Sequence, residues 1–324
     1  MTTHAERTAD ERPTDDVVDT ATRISRLLPA LIAALVSGVA VFVNGLAVRR
    51  FDDATVYTTA KNLLAGLVLA GVLVAATRRT RGNEPAPTRA EWSWLAIVAL
   101  IGGAVPFVLF FEGLSMATST DAAFIHKTLV VWVAIGATVA LGERVGPVHV
   151  LAIALLLAGH AIVAGGVSLT GLGAGEAMIF AATLIWAVEV VIVKRLLTTV
   201  SPSWAASARM LGGSAFLLAW LALRGDLGAL ASFTTNQWWW LVLTGTTLAV
   251  FVSLWYRALA LAPATDVTAV LVVGAAVTAA LNSGFRGVPL AAGTPGYLLM
   301  LLGAAVVIAH GSPTARPARQ RADA

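Results

Sequence analysis

The sequence predicts an all-α integral membrane protein: ten transmembrane helices in two inverted five-helix repeats. Three observations carry this. Of the 324 residues, 58% are hydrophobic and only 12% charged, where a soluble domain has about 25% charged residues; mean hydropathy is +0.82. Ten apolar stretches of 20–22 residues follow one another, and a spanning helix needs ~20. The first half of the chain also matches the second in order when shifted by 145. Together these exclude an ordinary soluble enzyme and a disordered regulator. Ten such stretches leave no room for a separate catalytic domain of ~100–150 residues.

The stretches are 27–48, 56–77, 93–114, 120–141, 147–166, 173–193, 203–223, 238–259, 263–283 and 291–310. They are continuously apolar, whereas barrel strands alternate over ~10 residues, so helix is the spanning form. Residues 1–26 are polar and carry both signs, which reads as a disordered tail and not as a signal peptide. Residues 311–324 form a second polar tail. Arg49-Arg50-Phe51-Asp52-Asp53, Arg78-Arg79-Thr80-Arg81-Gly82 and Gly142-Glu143-Arg144 mark helix ends. Pro29, Pro147, Pro202, Pro263 and Pro295 stand near span starts, where a missing N–H costs nothing. Pro106, after Gly102-Gly103, lies mid-span and predicts a kink. With the N-terminus inside, fourteen Lys and Arg fall on the inner face and four on the outer. That predicts two cytoplasmic termini and a multi-pass protein of the cell membrane. Half of the inner fourteen lie in the tails, so the bias rests partly on them. Trp92, Trp94 and Trp238-Trp239-Trp240 mark interfaces with the lipid bilayer.

The repeat is the most informative feature. A shift of 145 lays Phe111-Glu112-Gly113-Leu114 on Tyr256-Arg257-Ala258-Leu259, and Thr120-Asp121 on Thr265-Asp266. It lays Asn44 on Glu189, and Val48-Arg49-Arg50 on Val193-Lys194-Arg195. A slip to 148 lays Ala60-Lys61 on Ala208-Arg209. Units 27–166 and 173–310 hold five helices each, so the second enters the membrane from the opposite side. Inverted repeats recur in secondary transporters, where two such units exchange conformations around one site.

These residues resemble a known family. The two five-helix units, Gly142-Glu143-Arg144 before the fifth helix, and the run from Glu112-Gly113-Leu114 to Thr120-Asp121-Ala122-Ala123 are similar to EamA-type members of the drug/metabolite transporter superfamily. The resemblance covers about 27–310. It implies a ten-helix basket, with the fifth and tenth helices outside a central cavity, and export or exchange of small metabolites. One departure is Gly287-Val288 where the first unit has Gly142-Glu143.

Ionisable groups in a bilayer are costly and usually face a cavity or a partner. Asn44 and Lys61 fall roughly 6–8 Å below the outer boundary at ~1.5 Å of rise per residue. Their repeat mates Glu189 and Arg209 fall roughly 6–9 Å above the inner boundary by the same rise. One reading is a polar constriction at each mouth, with Glu189 and Arg209 an ion pair. The other is that Lys61 and Arg209 snorkel to the headgroups. His126-Lys127 has apolar mates, Leu271-Val272, an asymmetry that suits a substrate site. There Lys127 would hold an anionic group and His126 would couple a proton, against snorkelling and simple packing. Trp132 and Trp186 are candidates for an apolar cavity wall. His160 reads as a packing residue, and Glu112, Asp121, Arg257 and Asp266 as interfacial.

Cys is absent, which removes disulfides, thiolate metal sites and thiol nucleophiles. No G-x-x-x-x-G-K-[ST], H-E-x-x-H or G-x-S-x-G run occurs, so neither a nucleotide-driven pump nor a familiar hydrolase is indicated. No cofactor, metal or nucleic-acid partner is expected, and oligomeric state carries no signal. The expected function is secondary transport, outward, of a small organic metabolite or drug, with a proton as candidate coupling ion. A membrane-embedded enzyme and a non-transporting sensor or scaffold are the alternatives.

Overall fold

The computed structural model describes residues 12–79, 85–117, 119–163, 173–287 and 293–310, with side chains from residue 24 onward except 115, 119, 120 and 123. The described residues are helical and contain no strand. Eight segments are long and apolar enough to cross a membrane, and Pro147–Val163 and Thr294–His310 are shorter apolar helices. The ends of these two spans at 164–166 and 291–292, and the tail 311–324, lie outside the described residues.

Helix α1 runs Arg12–Ala47. It corrects the expected tail: from Arg12 onward the polar segment continues the first helix. Helix α2 is Ala54–Arg79. The third span divides into α3 (Arg89–Gly103) and α4 (Val105–Met116) at Ala104. The cause is local, because Pro106 cannot donate to the Gly102 carbonyl one turn back. The fourth span divides into α5 (Ser119–Lys127) and α6 (Leu129–Gly136), followed by a π turn over Ala137–Leu141. Helix α7 is Pro147–Val163.

The second unit follows the same plan. Helix α8 is Ala174–Leu196, α9 is Pro202–Arg224 and α10 is Thr235–Leu261. Its fourth span divides into α11 (Ala264–Leu271) and α12 (Gly274–Arg286), and α13 is Thr294–His310. Thr128 and Val273, where the fourth spans break, are related by the shift of 145. In both, amide groups bond three residues back: Thr128 is shared between Ile125 at 3.1 Å and Phe124 at 3.3 Å, while Val272 and Val273 bond to Ala269 and Val270. Short tight turns inside a helix are recurrent hinge sites. Both fourth spans end on a left-handed glycine, Gly142 at φ 68° and Gly287 at φ 65°, where a side chain would be strained.

Contacts between the units come in mates. Helix α1 packs on α10, and its counterpart α8 packs on α4; α3 packs on α9, and α10 on α2. Helix α1 also meets α12 while α8 meets α6; α2 meets its own counterpart α9, and α7 meets α13. One helix shows how the halves are oriented. Near the start of α10, Gln237 donates to the Arg50 carbonyl at 2.8 Å and the Arg50 guanidinium lies over the Trp240 ring. At its far end, Lys194 donates to the carbonyls of Leu259 and Ala262, at 2.5 and 2.7 Å. Arg50 follows the first helix of one unit and Lys194 closes the first helix of the other. Equivalent points therefore sit at opposite ends of α10.

Candidate functional site

Pro106 creates the first cluster by leaving the Gly102 carbonyl without its helical donor. Two side chains of the second unit take it up: Trp186 Nε1 and Arg209 Nη2 each donate to it at 3.0 Å. The Arg209 Nε stands 3.6 Å from Glu189 Oε1, and the Tyr256 hydroxyl donates to that same oxygen at 2.7 Å. Glu189 is 1% and Arg209 9% exposed. Only glycine fits at 102, because a Cβ there would stand 2.7 Å from Glu189 Cγ and 2.9 Å from Arg209 Nε. The guanidinium thus points at the middle of the Arg89–Leu114 span, not toward a headgroup.

The repeat mates form a second cluster with weaker chemistry. Asn44 Oδ1 accepts from Lys61 Nζ at 3.0 Å and from the Tyr57 hydroxyl at 2.6 Å. Asn44 replaces Glu189, and Phe111, the mate of Tyr256, has no hydroxyl to give. Tyr57 supplies the phenol from a different helix. Sequence reading paired Asn44 with Lys61 and Glu189 with Arg209; it missed Tyr57, Tyr256 and the Gly102 carbonyl.

His126 and Lys127 occupy the last turn of α5, at the break of the fourth span. The His126 ring lies 5.0 Å from Trp186 and 5.4 Å from Phe110, and Phe107 completes the aromatic group at 5.3 Å from Trp186. Trp186 therefore joins His126 to the Glu189–Arg209 cluster through the shared Gly102 carbonyl. Trp132 stands apart. Its Nε1 donates to Thr128 Oγ1 at 3.1 Å and its ring packs edge-on against Phe180. His160 stacks on Phe124 at 6.3 Å, as a packing residue would.

Two further networks tie the helix ends. Glu143 caps α11: its carboxylate accepts from the amides of Ala264 and Thr265, at 2.7 and 3.1 Å, and from the Thr265 hydroxyl at 2.9 Å. Asp266, expected at the interface, is instead 2% exposed and 3.2 Å from His149 Nε2. Its neighbours explain the difference, since α11, which carries it, packs against α1, α6, α13 and α7. At the other end of the bundle Arg224 reaches Asp53 at 2.9 Å, Asp226 at 2.8 Å and Glu112 at 3.6 Å. An apolar recess of about 340 Å³ lies between α6 and α7, lined by Val131, Ala134, Thr138 and Val150 among others. It borders Val139, which is 82% exposed, so it opens on the flank and not among the polar clusters.

The elements define a polytopic helical membrane protein of two matching units with polar groups buried between them. A model of the EamA-like transporter family matches residues 25–165 and 173–309. The chain belongs to that family. A solved crystal structure superposes with a TM-score of 0.68 at 21% identity, over 87% of this chain and 97% of that one, a likeness of fold. Comparison with curated proteins finds no match.

Proposed function

We propose that this protein is a secondary transporter that exports a small organic solute by alternating access. On this reading ten helices cross the cell membrane as two inverted repeats, with both termini cytoplasmic. The observation that carries it is the mated pair of clusters. Glu189–Arg209–Tyr256 and Asn44–Lys61–Tyr57 occupy repeat-related positions on inter-unit faces, toward opposite ends of the bundle. A conformational exchange between the units would close one while opening the other. The breaks at Thr128 and at Val272–Val273 supply hinges at equivalent places. His126, Lys127 and Trp186 sit beside one of them and line the solute path, and Trp132 forms part of the wall above.

Uptake into sealed vesicles containing the purified protein tests this. A labelled metabolite panel is presented with and without a pH gradient and with unlabelled solute trapped inside. Accumulation driven by the gradient identifies a proton as coupling ion, and acceleration by trapped solute identifies exchange. No movement of any solute under either condition overturns the transporter reading and leaves an enzymatic or sensory role.

A further inference from the structure

We propose that the buried face of α2 formed by Thr58, Lys61 and Asn62 binds the carboxylate of a small organic monoanion that also carries a hydrogen-bond donor beside that carboxylate. The transporter reading is needed only to call this anion the cargo.

The argument starts from charge. Lys61 is 8% exposed, and among the described residues no carboxylate lies within ion-pair distance of it. Its mate Arg209 has Glu189. One cluster is neutral and the other holds an uncompensated cation, which is expensive to bury. An ammonium has three N–H donors. One goes to Asn44 Oδ1 at 3.0 Å, and the Tyr57 ring lies 5.0 Å away as a weaker partner. Asn44 has nothing more to offer. Its Oδ1 also accepts from Tyr57, and its amide nitrogen donates to the Ala40 carbonyl at 2.7 Å.

The second observation is independent of Lys61. Asn62 is fully buried, yet among the described residues neither its Oδ1 nor its Nδ2 has a hydrogen-bond partner, and the Thr58 hydroxyl of the preceding turn has none either. Unpaired buried polar atoms are exceptions that call for an explanation. Residues at i, i+3 and i+4 share a helix face, so Thr58, Lys61 and Asn62 lie together.

The open valences describe the ligand. Lys61, the Asn62 amide N–H and the Thr58 hydroxyl are donors for an anionic oxygen, and a single negative charge restores neutrality. Asn62 Oδ1 is an acceptor that no simple anion satisfies; it requires an O–H or N–H on the ligand. Among organic acids a 2-hydroxy acid is a small species with both features. A lipid phosphodiester shares the single charge, but Lys61 lies about 10 Å along α2 from its start at Ala54 by helical rise, deeper than a headgroup sits.

Purified full-length protein in phosphatidylcholine nanodiscs is titrated with lactate, propionate and lactamide, reading the thermal unfolding midpoint at constant ionic strength. Lactate should bind best, propionate more weakly, and lactamide not measurably. Lys61→Met should weaken lactate binding about tenfold or more. Asn62→Leu should remove the preference for lactate over propionate. The chain lacks Cys, so Lys61→Cys can be converted with an aminoethyl or an ethyl thiosulfonate to the mixed disulfide, sulfinate leaving. The aminoethyl adduct should restore binding and the ethyl adduct should not, which keeps the test decisive if Lys61→Met folds poorly. Lactamide binding as well as lactate, or lactate binding that survives loss of the cation, overturns the proposal. So does a midpoint that responds to phosphatidylglycerol in the nanodisc and ignores lactate. No gradient is involved, so a failure here leaves the transport experiment standing, and the reverse holds too.

Discussion

Glu189 holds a phenol and a guanidinium on one oxygen, inside a span and almost without exposure. Such a group is tolerable only while its partners stay. Removing one partner of a buried ion pair costs roughly 3–5 kcal/mol, because the remaining charge is stranded, whereas losing one hydrogen bond to a charged group costs roughly 1.5–3 kcal/mol. Glu189→Ala should therefore lower the thermal midpoint in detergent clearly more than Tyr256→Phe. Glu189→Arg and Arg209→Glu should each abolish uptake, and the double exchange should recover part of it. Should both single variants insert normally while the double exchange recovers nothing, the two residues do not act as a gate.

At the scale of elements, close approach is paid for with glycine. Helices α3 and α9 cross at Gly103 and Gly213, where a Cβ on Gly213 would stand 2.5 Å from Gly103 Cα and one on Gly103 2.8 Å from Gly213 Cα. Gly213→Ala should destabilise by about 1–3 kcal/mol through forced separation of backbone from backbone. Gly71→Ala in α2 meets nothing within 4 Å and should be neutral or stabilising by up to ~1 kcal/mol through helix propensity. Thermal unfolding of the two variants checks the opposite signs. The elements also show what was legible beforehand. Pro106 announces the break of the third span because its missing donor is a covalent fact. The break at Thr128 carries no Gly or Pro, and the one at Val272–Val273 is followed only by Gly274 at the start of α12, a residue type common inside these spans; the switch to three-residue bonding is decided by packing between units. Asn44 with Lys61 and Glu189 with Arg209 were readable because the repeat lines them up. Glu143 on the start of α11 was not, since 121 residues separate Glu143 from Ala264. Nor was the partner of the Gly102 carbonyl, which only the fold reveals.

For the whole molecule the decisive quantity is the relative direction of the two units. Both keep a left-handed glycine at the end of the fourth span, but only the first follows it with a carboxylate, and that carboxylate caps α11 of the other unit. Val288 has no such group to give in return. Two clamps thus hold one end of the bundle, Glu143 on α11 and Lys194 on the end of α10, while Arg224 gathers Asp53, Glu112 and Asp226 at the other. If the end bearing Glu143 and Lys194 is cytoplasmic, as the distribution of Lys and Arg indicates, side chains can be assigned to faces without reference to transport. Single cysteines replacing Arg49 and Asp226 should react with a membrane-impermeant maleimide on intact cells. Those replacing Arg144 and Arg195 should react only after the membrane is opened. The cysteine-free background makes each signal unambiguous. Because Arg50 and Lys194 flank opposite ends of one uninterrupted helix, labelling of Arg49 and Arg195 positions from the same side would contradict the fold itself. Labelling with both sides exchanged would keep the fold, reverse the assignment of faces, and turn the neutral cluster of Glu189 and Arg209 into the outer constriction.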